Sequence, residues 1–136
     1  MTVSATIVLD ASAFLRAAVE ERDVARLWIA AVDAAEVTGT VPEHFYVEVA
    51  NALRAYVRAR RMRAAVAAEL VTRCLDLPLA ARPARELVPA AFVRSLQLDL
   101  TVYDAAYVVL AEAADAVLVT ADRELAPAYE RVELVS

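Results

Sequence analysis

A chain of 136 residues, 61% hydrophobic and 24% charged, predicts one domain spanning residues 1–136 with a real core, and excludes disordered and collagen-like classes. One Gly excludes glycine-rich phosphate cradles, one Cys (Cys74) excludes an internal disulfide, and the absence of Lys excludes a Schiff base or a lysine-held phosphoryl group. The net charge of -5 has the wrong sign for a protein that coats nucleic acid, although a bound divalent cation would invert the field locally.

The first apolar run, Ala5-Thr6-Ile7-Val8-Leu9, predicts a strand ending at Asp10. Helices follow over Ser12–Val19 and over Asp23–Ala35, the second with Asp23 as a cap. Val37 to Val41 predicts a strand stopped by Pro42, which is placed to open a helix over Glu43–Arg60. A helix over Arg63–Leu75 leads to a weak strand at Leu77–Ala80. The next helix, Ala84–Leu96, contains Pro89, which predicts a kink or a split. Val102–Ala114 predicts a helix, Ala116–Thr120 a strand, and Val132–Val135 a weak last strand.

The apolar runs are continuous rather than alternating, as suits strands covered on both faces. The alternation of types predicts an α/β domain with a mainly parallel central sheet of about five strands and helices on both faces. No run approaches the ~20 apolar residues of a membrane span, despite a mean hydropathy of +0.49. Met1 to Asp10 has neither the basic nor the long apolar region of a signal peptide, so a soluble, cytoplasmic protein with no membrane partner is expected.

In open α/β sheets, ligands bind outside the carboxyl ends of the strands. Asp10 follows the first strand at once, and Asp122 follows the fourth by two residues. Asp104 lies in the first turn of the helix after Thr101. Each also reads as a cap: Asp10 for the Ser12 helix, Asp122 for a short helix before Pro127, and Asp104 within a Thr101-x-x-Asp104 capping box.

Glu48 differs, because it shares a helical stripe with Phe45, Val49, Ala52, Leu53 and Tyr56. A carboxylate directed toward the core must be paired with an Arg, protonated, or bound to metal. Four converging acids would repel one another unless a cation were present, and oxygen-only ligands select Mg²⁺ or Mn²⁺ over zinc. Such a site suits phosphoryl or phosphodiester chemistry. Ser12 and Thr120, beside Asp10 and Asp122, are candidates to position a water or phosphate, or serve as strand-end and cap hydroxyls.

The segments Ile7-Val8-Leu9-Asp10-Ala11-Ser12-Ala13-Phe14, Val47-Glu48-Val49-Ala50-Asn51-Ala52-Leu53, Leu100-Thr101-Val102-Tyr103-Asp104-Ala105-Ala106-Tyr107 and Leu118-Val119-Thr120-Ala121-Asp122-Arg123 together carry a resemblance. In order, spacing and total length, the sequence resembles the PIN-domain ribonucleases and, among them, the VapC toxins of bacterial toxin–antitoxin pairs. The resemblance implies a Mg²⁺- or Mn²⁺-dependent endoribonuclease with the quartet Asp10, Glu48, Asp104 and Asp122. By analogy Asp10 and Asp104 are the more direct metal ligands. It also implies an RNA substrate and a homodimer held inactive by a cognate antitoxin protein.

Arg54, Arg58 and Arg61 are spaced to share one helical face, which reads as an RNA contact, an antitoxin surface or a solvated helix end. His44 reads as a surface or capping residue, with a catalytic role as the alternative, Cys74 as a small core residue, and Asp99 as a loop acid. Trp28, with Val24, Leu27, Ala31 and Val32, reads as helix packing or a dimer contact. Two other functions compete. An aspartyl-phosphate enzyme would also place an Asp after a parallel strand but requires a Lys, and a catalytically inactive PIN-fold module would bind a protein or RNA without cutting it.

Overall fold

The computed structural model describes residues 5–135, so Met1–Ser4 and Ser136, the ends of the predicted domain, lie outside the described residues. Elements run in the order β1 (Thr6–Leu9), α1 (Ala11–Ala18), α2 (Asp23–Asp33), β2 (Thr38–Pro42), α3 (Phe45–Arg58), α4 (Ala64–Asp76) and β3 (Leu79–Arg82). They continue with α5 (Ala84–Leu98), α6 (Val102–Ala114), β4 (Val117–Thr120), a 3₁₀ turn (Ala126–Ala128) and β5 (Val132–Leu134). No helix is long and apolar enough to cross a membrane among the described residues.

All strand pairs are parallel, in the order β3-β2-β1-β4-β5. The chain moves one way across the sheet from β1 through β2 to β3, then returns the other way to β4 and β5. Because parallel crossovers are right-handed, this reversal places α1–α4 on one face and α5–α6 on the other. The helix contacts agree: α1 packs on α2 and α3, and α3 on α4, whereas α5 packs on α6. Ile7, Val8, Leu9, Leu118 and Val119 are fully buried between these layers, which explains their unbroken apolar runs. The only glycine, Gly39, sits in β2, where an added Cβ would lie 2.5 Å from the Leu79 side chain.

Several boundaries differ from the sequence expectation. Pro42 closes β2 rather than opening α3; at a strand end its missing N–H costs little. Pro89 does not split α5, which is assigned as one helix over Ala84–Leu98, because in the second turn it removes a single amide donor. The third strand lies two residues later than expected. It is an exposed edge strand paired through Gly39–Leu79 and Thr40–Ala80, so its apolar content is a poor guide to its limits. On α2, Ala25 and Val32 are buried and Trp28 packs partly against the core, while Val24 and Leu27 of the predicted face point to solvent. Cys74 is buried and free, and Asp99 ends α5 in a left-handed conformation.

A chain with one glycine must end its helices with other residues. Glu21, Ala35, Arg60, Asp99 and Asp115 all adopt positive φ. After α2, the Ala35 and Glu36 amides donate to the Val32 and Ala31 carbonyls, the paired bonds of a Schellman ending. Left-handed backbone costs an ordinary residue about 1–2 kcal/mol, partly offset in glycine by its greater unfolded-state freedom. Ala35→Gly is therefore expected to stabilise the protein by about 0.5–1 kcal/mol, measured by urea unfolding.

Candidate active site

β1 and β4 are neighbours, with Val8 beside Leu118 and Leu9 beside Val119. The chain leaves β1 toward one side of the sheet and leaves β4 toward the other, so their carboxyl ends open onto the crevice at the switch in strand order. Asp10 and Asp122 both enter it. α3 follows β2, which puts its first turns at this same edge with Glu48. α6 leads back into β4, so its amino end, with Asp104, also returns here.

Asp10 is the anchor. It occupies the cap position of α1, but its carboxylate makes no capping bond. Instead Ser12 Oγ and Thr120 Oγ1 each donate to Asp10 Oδ2 at 2.6 Å. The same hydroxyl oxygens accept the Ala121 and Asp122 amides at 2.9 and 3.0 Å. Each hydroxyl has one hydrogen, already donated to Asp10, so the 3.2 Å approach of Ser12 to Thr120 is a contact and not a third bond. Thr120 is fully buried. Asp10 is itself only 5% exposed, and burial raises its pKa against the two hydroxyl bonds, with Asp122 adding repulsion.

Among the described residues Glu48 has no Arg partner. Tyr107, fully buried on α6, donates its hydroxyl to Glu48 Oε1 at 2.8 Å, and His44 Nε2 lies 3.3 Å from the same oxygen. The Glu48 carboxyl is pushed up to about 7, by burial first and also by Asp10 and Asp104, against the Tyr107 bond. Asp104 is pushed up to about 6, by burial first and then by Asp10 and Asp122. Its amide donates to Thr101 Oγ1 at 3.1 Å, so the expected cap of α6 is formed by Thr101. Asp122 Oδ1 accepts the Glu124 amide at 2.9 Å in a local turn. The four acids thus share one crevice and act on one another electrostatically. Among the described residues, however, no three His, Cys, Asp or Glu side chains group tightly enough to hold an ion as they stand. Asp10, Glu48 and Asp122 are turned toward hydrogen-bond donors of the protein.

His44 occupies the cap position of α3, as one sequence reading has it, without a side-chain capping bond. It is half-buried between the rings of Tyr103 and Tyr107, at centroid distances of 5.6 and 5.4 Å, and its Nε2 lies 3.2 Å from the Tyr103 carbonyl. Burial lowers its pKa. His44 stands four residues before Glu48, and Tyr107 three after Asp104, spacings that place each pair on one helical face. That was the available signal, but only the meeting of α3 with α6 gives it meaning.

The arginine face is not as expected. α3 ends at Arg58, Arg60 takes positive φ, and Arg61 lies beyond the helix with its guanidinium 5.3 Å from the Tyr56 ring centroid. Arg54, Arg58 and Arg61 are exposed and form no ion pair among the described residues. At 1.5 Å per residue, Arg58 stands about 15 Å along α3 from Glu48, so this end points away from the acids. A separate groove of about 410 Å³ between α1, α2 and α4, lined by Phe14, Arg26, Ile29, Asp33 and Arg73 among others, contains none of the four acids.

A sequence model of the PIN domain matches residues 7–130. The chain belongs to the PIN domain family. The PIN fold is shared with solved structures over nearly the whole chain. A Pyrobaculum aerophilum protein, PAE2754, is similar at 25% identity and a TM-score of 0.77, covering 98% of this chain and 92% of that one. VapBC2 from Rickettsia felis, bound to a DNA fragment from its promoter, is 13% identical with a TM-score of 0.70, covering 96% and 99%. Mycobacterium tuberculosis VapC20, described as a sarcin–ricin loop cleaving toxin, is 16% identical with a TM-score of 0.69 and the same coverage. No curated protein matches the chain significantly. In this PIN domain the quartet comes from the end of β1, the start of α3, the start of α6 and the turn after β4, in the order expected from the sequence.

Proposed function

We propose that this PIN domain is a dication-dependent endoribonuclease that hydrolyses RNA phosphodiester bonds as the toxin of a toxin–antitoxin pair. The observation that carries the reading is a buried carboxylate, Asp10, in a crevice with three other acids and no cationic side chain bound to it. Each of Asp10, Glu48 and Asp104 has its pKa raised by burial and by its acidic neighbours, the condition that a positive ion at the crevice would relieve. The donor set is oxygen only, which fits Mg²⁺ or Mn²⁺. Asp10 and Asp104 would be the nearer ligands, with Glu48 and Asp122 completing the set. When bound, the ion supplies Lewis acidity and positive charge to the scissile phosphate.

The protein's own groups do the remaining work. Ser12 and Thr120 bind one oxygen of Asp10 and so orient the other. Tyr107 donates to Glu48 Oε1 and so fixes that carboxylate's orientation toward the crevice. The toxin role rests on the likeness to VapBC2 and VapC20, together with the match in length. The likeness to VapBC2 favours a cognate antitoxin protein as partner, and the resemblance in sequence adds a homodimer. The exposed Arg54, Arg58 and Arg61 are available to either RNA or antitoxin.

Purified protein freed of any partner is expected to cut RNA with Mg²⁺ or Mn²⁺ and to stop in excess chelator; cutting that continues in chelator would refute the metal reading. The other reading, a PIN fold that binds a partner without cutting, draws on the carboxylates being turned toward protein donors. Calorimetry without detectable Mn²⁺ binding at millimolar concentration would select it.

A further inference from the structure

Two large side chains adjacent in sequence to the acids are exposed. Val47, next to Glu48, is 70% exposed, and Tyr103, next to Asp104, is 63% exposed. Tyr103 is a large aromatic side chain left in solvent beside the candidate centre, yet its position is firmly set. Its backbone begins α6 just after the Thr101 cap, its carbonyl faces His44 Nε2 at 3.2 Å, and its ring meets His44 edge-to-face at 81°. His44 is in turn packed at 84° against the fully buried Tyr107. Tyr103 is thus the outer member of an aromatic stack that begins in the core and ends at the mouth of the crevice.

We propose that Tyr103, supported by His44, is a base-stacking residue that receives an unpaired nucleobase next to the phosphate held at the acids. This rests on the ribonuclease reading and narrows it to substrates whose base is free to leave its own stack. Three arguments favour a nucleobase over a protein partner at this point. An acidic chain cannot rely on general electrostatic attraction to RNA, so affinity must come from another source. Stacking on an aromatic ring provides it without demanding a particular base. The ring also packs on His44, whose Nε2 lies 3.3 Å from Glu48 Oε1, so a nucleotide whose phosphate sits at this centre has the ring within reach of its base. Bases in a duplex are sealed in their stack, which makes the platform selective for single strands, loops or bulges.

The test uses the full chain and one RNA sequence, presented either as a single-stranded oligonucleotide or as a duplex. In steady-state cleavage with Mn²⁺, Tyr103→Ala is expected to raise KM roughly 5- to 150-fold, the range for loss of one stacked base, with kcat changed less than about threefold. Tyr103→Phe, which keeps the ring and loses the hydroxyl, restores KM to within about twofold. Anisotropy of a labelled single strand, measured in an Asp10→Asn background that binds without cutting, is expected to show the same loss of affinity. The duplex is expected to bind equally to both proteins. Unchanged KM and anisotropy in Tyr103→Ala would overturn the proposal while leaving the ribonuclease reading intact, as would a loss confined to binding of a co-expressed protein. If the unaltered chain neither binds nor cuts RNA with Mn²⁺, both readings fall together.

Discussion

Asp10→Asn is expected to abolish dication-dependent RNA cleavage, by about 10³-fold or more, equivalent to ~4 kcal/mol of charge stabilisation at the reacting phosphate. The same protein should remain folded. Ser12 and Thr120 both donate to a single oxygen of Asp10, and an asparagine carbonyl can accept both bonds in the same place. What the substitution removes is the negative charge, which is the feature that burial and Asp122 already disfavour. Stability without metal should therefore be equal to or above that of the unaltered chain, a combination that separates a site residue from a scaffold residue. The measurement is a pair: cleavage rate with Mn²⁺, and urea unfolding in chelator. An Asp10→Asn protein that cut RNA at the original rate would move the chemistry elsewhere, and one that failed to fold would make Asp10 a structural anchor first.

Stability in chelator is expected to fall as pH rises from about 4 to 7. Glu48 and Asp104 have folded-state values of about 7 and 6 against ordinary values of 4.5 and 3.8, and Asp10 is raised as well. A folded state that binds protons more tightly than the unfolded chain is favoured at low pH. That advantage is whole below the ordinary carboxyl values and is lost as pH climbs through the raised ones. His44 works the other way, since its lowered pKa favours folding above its ordinary 6.5 and loses that contribution as pH falls, but it is one group against three. Exposed pairs such as Arg82–Glu86 contribute little to the balance.

Dication should reverse the trend. At pH 7.5 a concentration one hundred times Kd adds about 2.7 kcal/mol, or roughly 5–10 °C in a domain of this size. At pH 5 the gain should shrink, because protons occupy the carboxylates that the ion would use. Thermal unfolding at both pH values, with chelator or Mn²⁺, decides the matter. A Mn²⁺ gain that is the same at pH 5 and 7.5 would place the ion away from these raised carboxylates.

Much of this site can be read along the chain because two of its acids lie where a parallel strand ends. Continuous apolar runs identify β1 and β4, and Asp10 and Asp122 follow from the ends of those runs. Glu48 is legible for a different reason: a charge on the stripe of Phe45, Val49 and Leu53 is costly unless something answers it. The answer itself was not legible. Tyr107 lies 59 residues from Glu48, and no spacing rule connects two helices on opposite faces of a sheet. The packing of His44 is hidden for the same reason, since its neighbours Tyr103 and Tyr107 come from α6. Pro42 and Arg61 depart from the sequence reading for a local reason. The cost of a proline or of a helix end depends on the amide or turn at that position, which pattern alone does not show.

From sequence alone came the element types, the all-parallel sheet's apolar strands, the acids at their ends and the left-over carboxylate of α3, because each follows from local periodicity and the cost of burying charge. Only the tertiary structure decided that β1 and β4 lie side by side, that the helices divide at that point, and that α3 and α6 meet above it. Those outcomes depend on packing between residues up to 110 positions apart, as Thr120 and Asp10 are, and that packing is a property of the whole sheet and its layers.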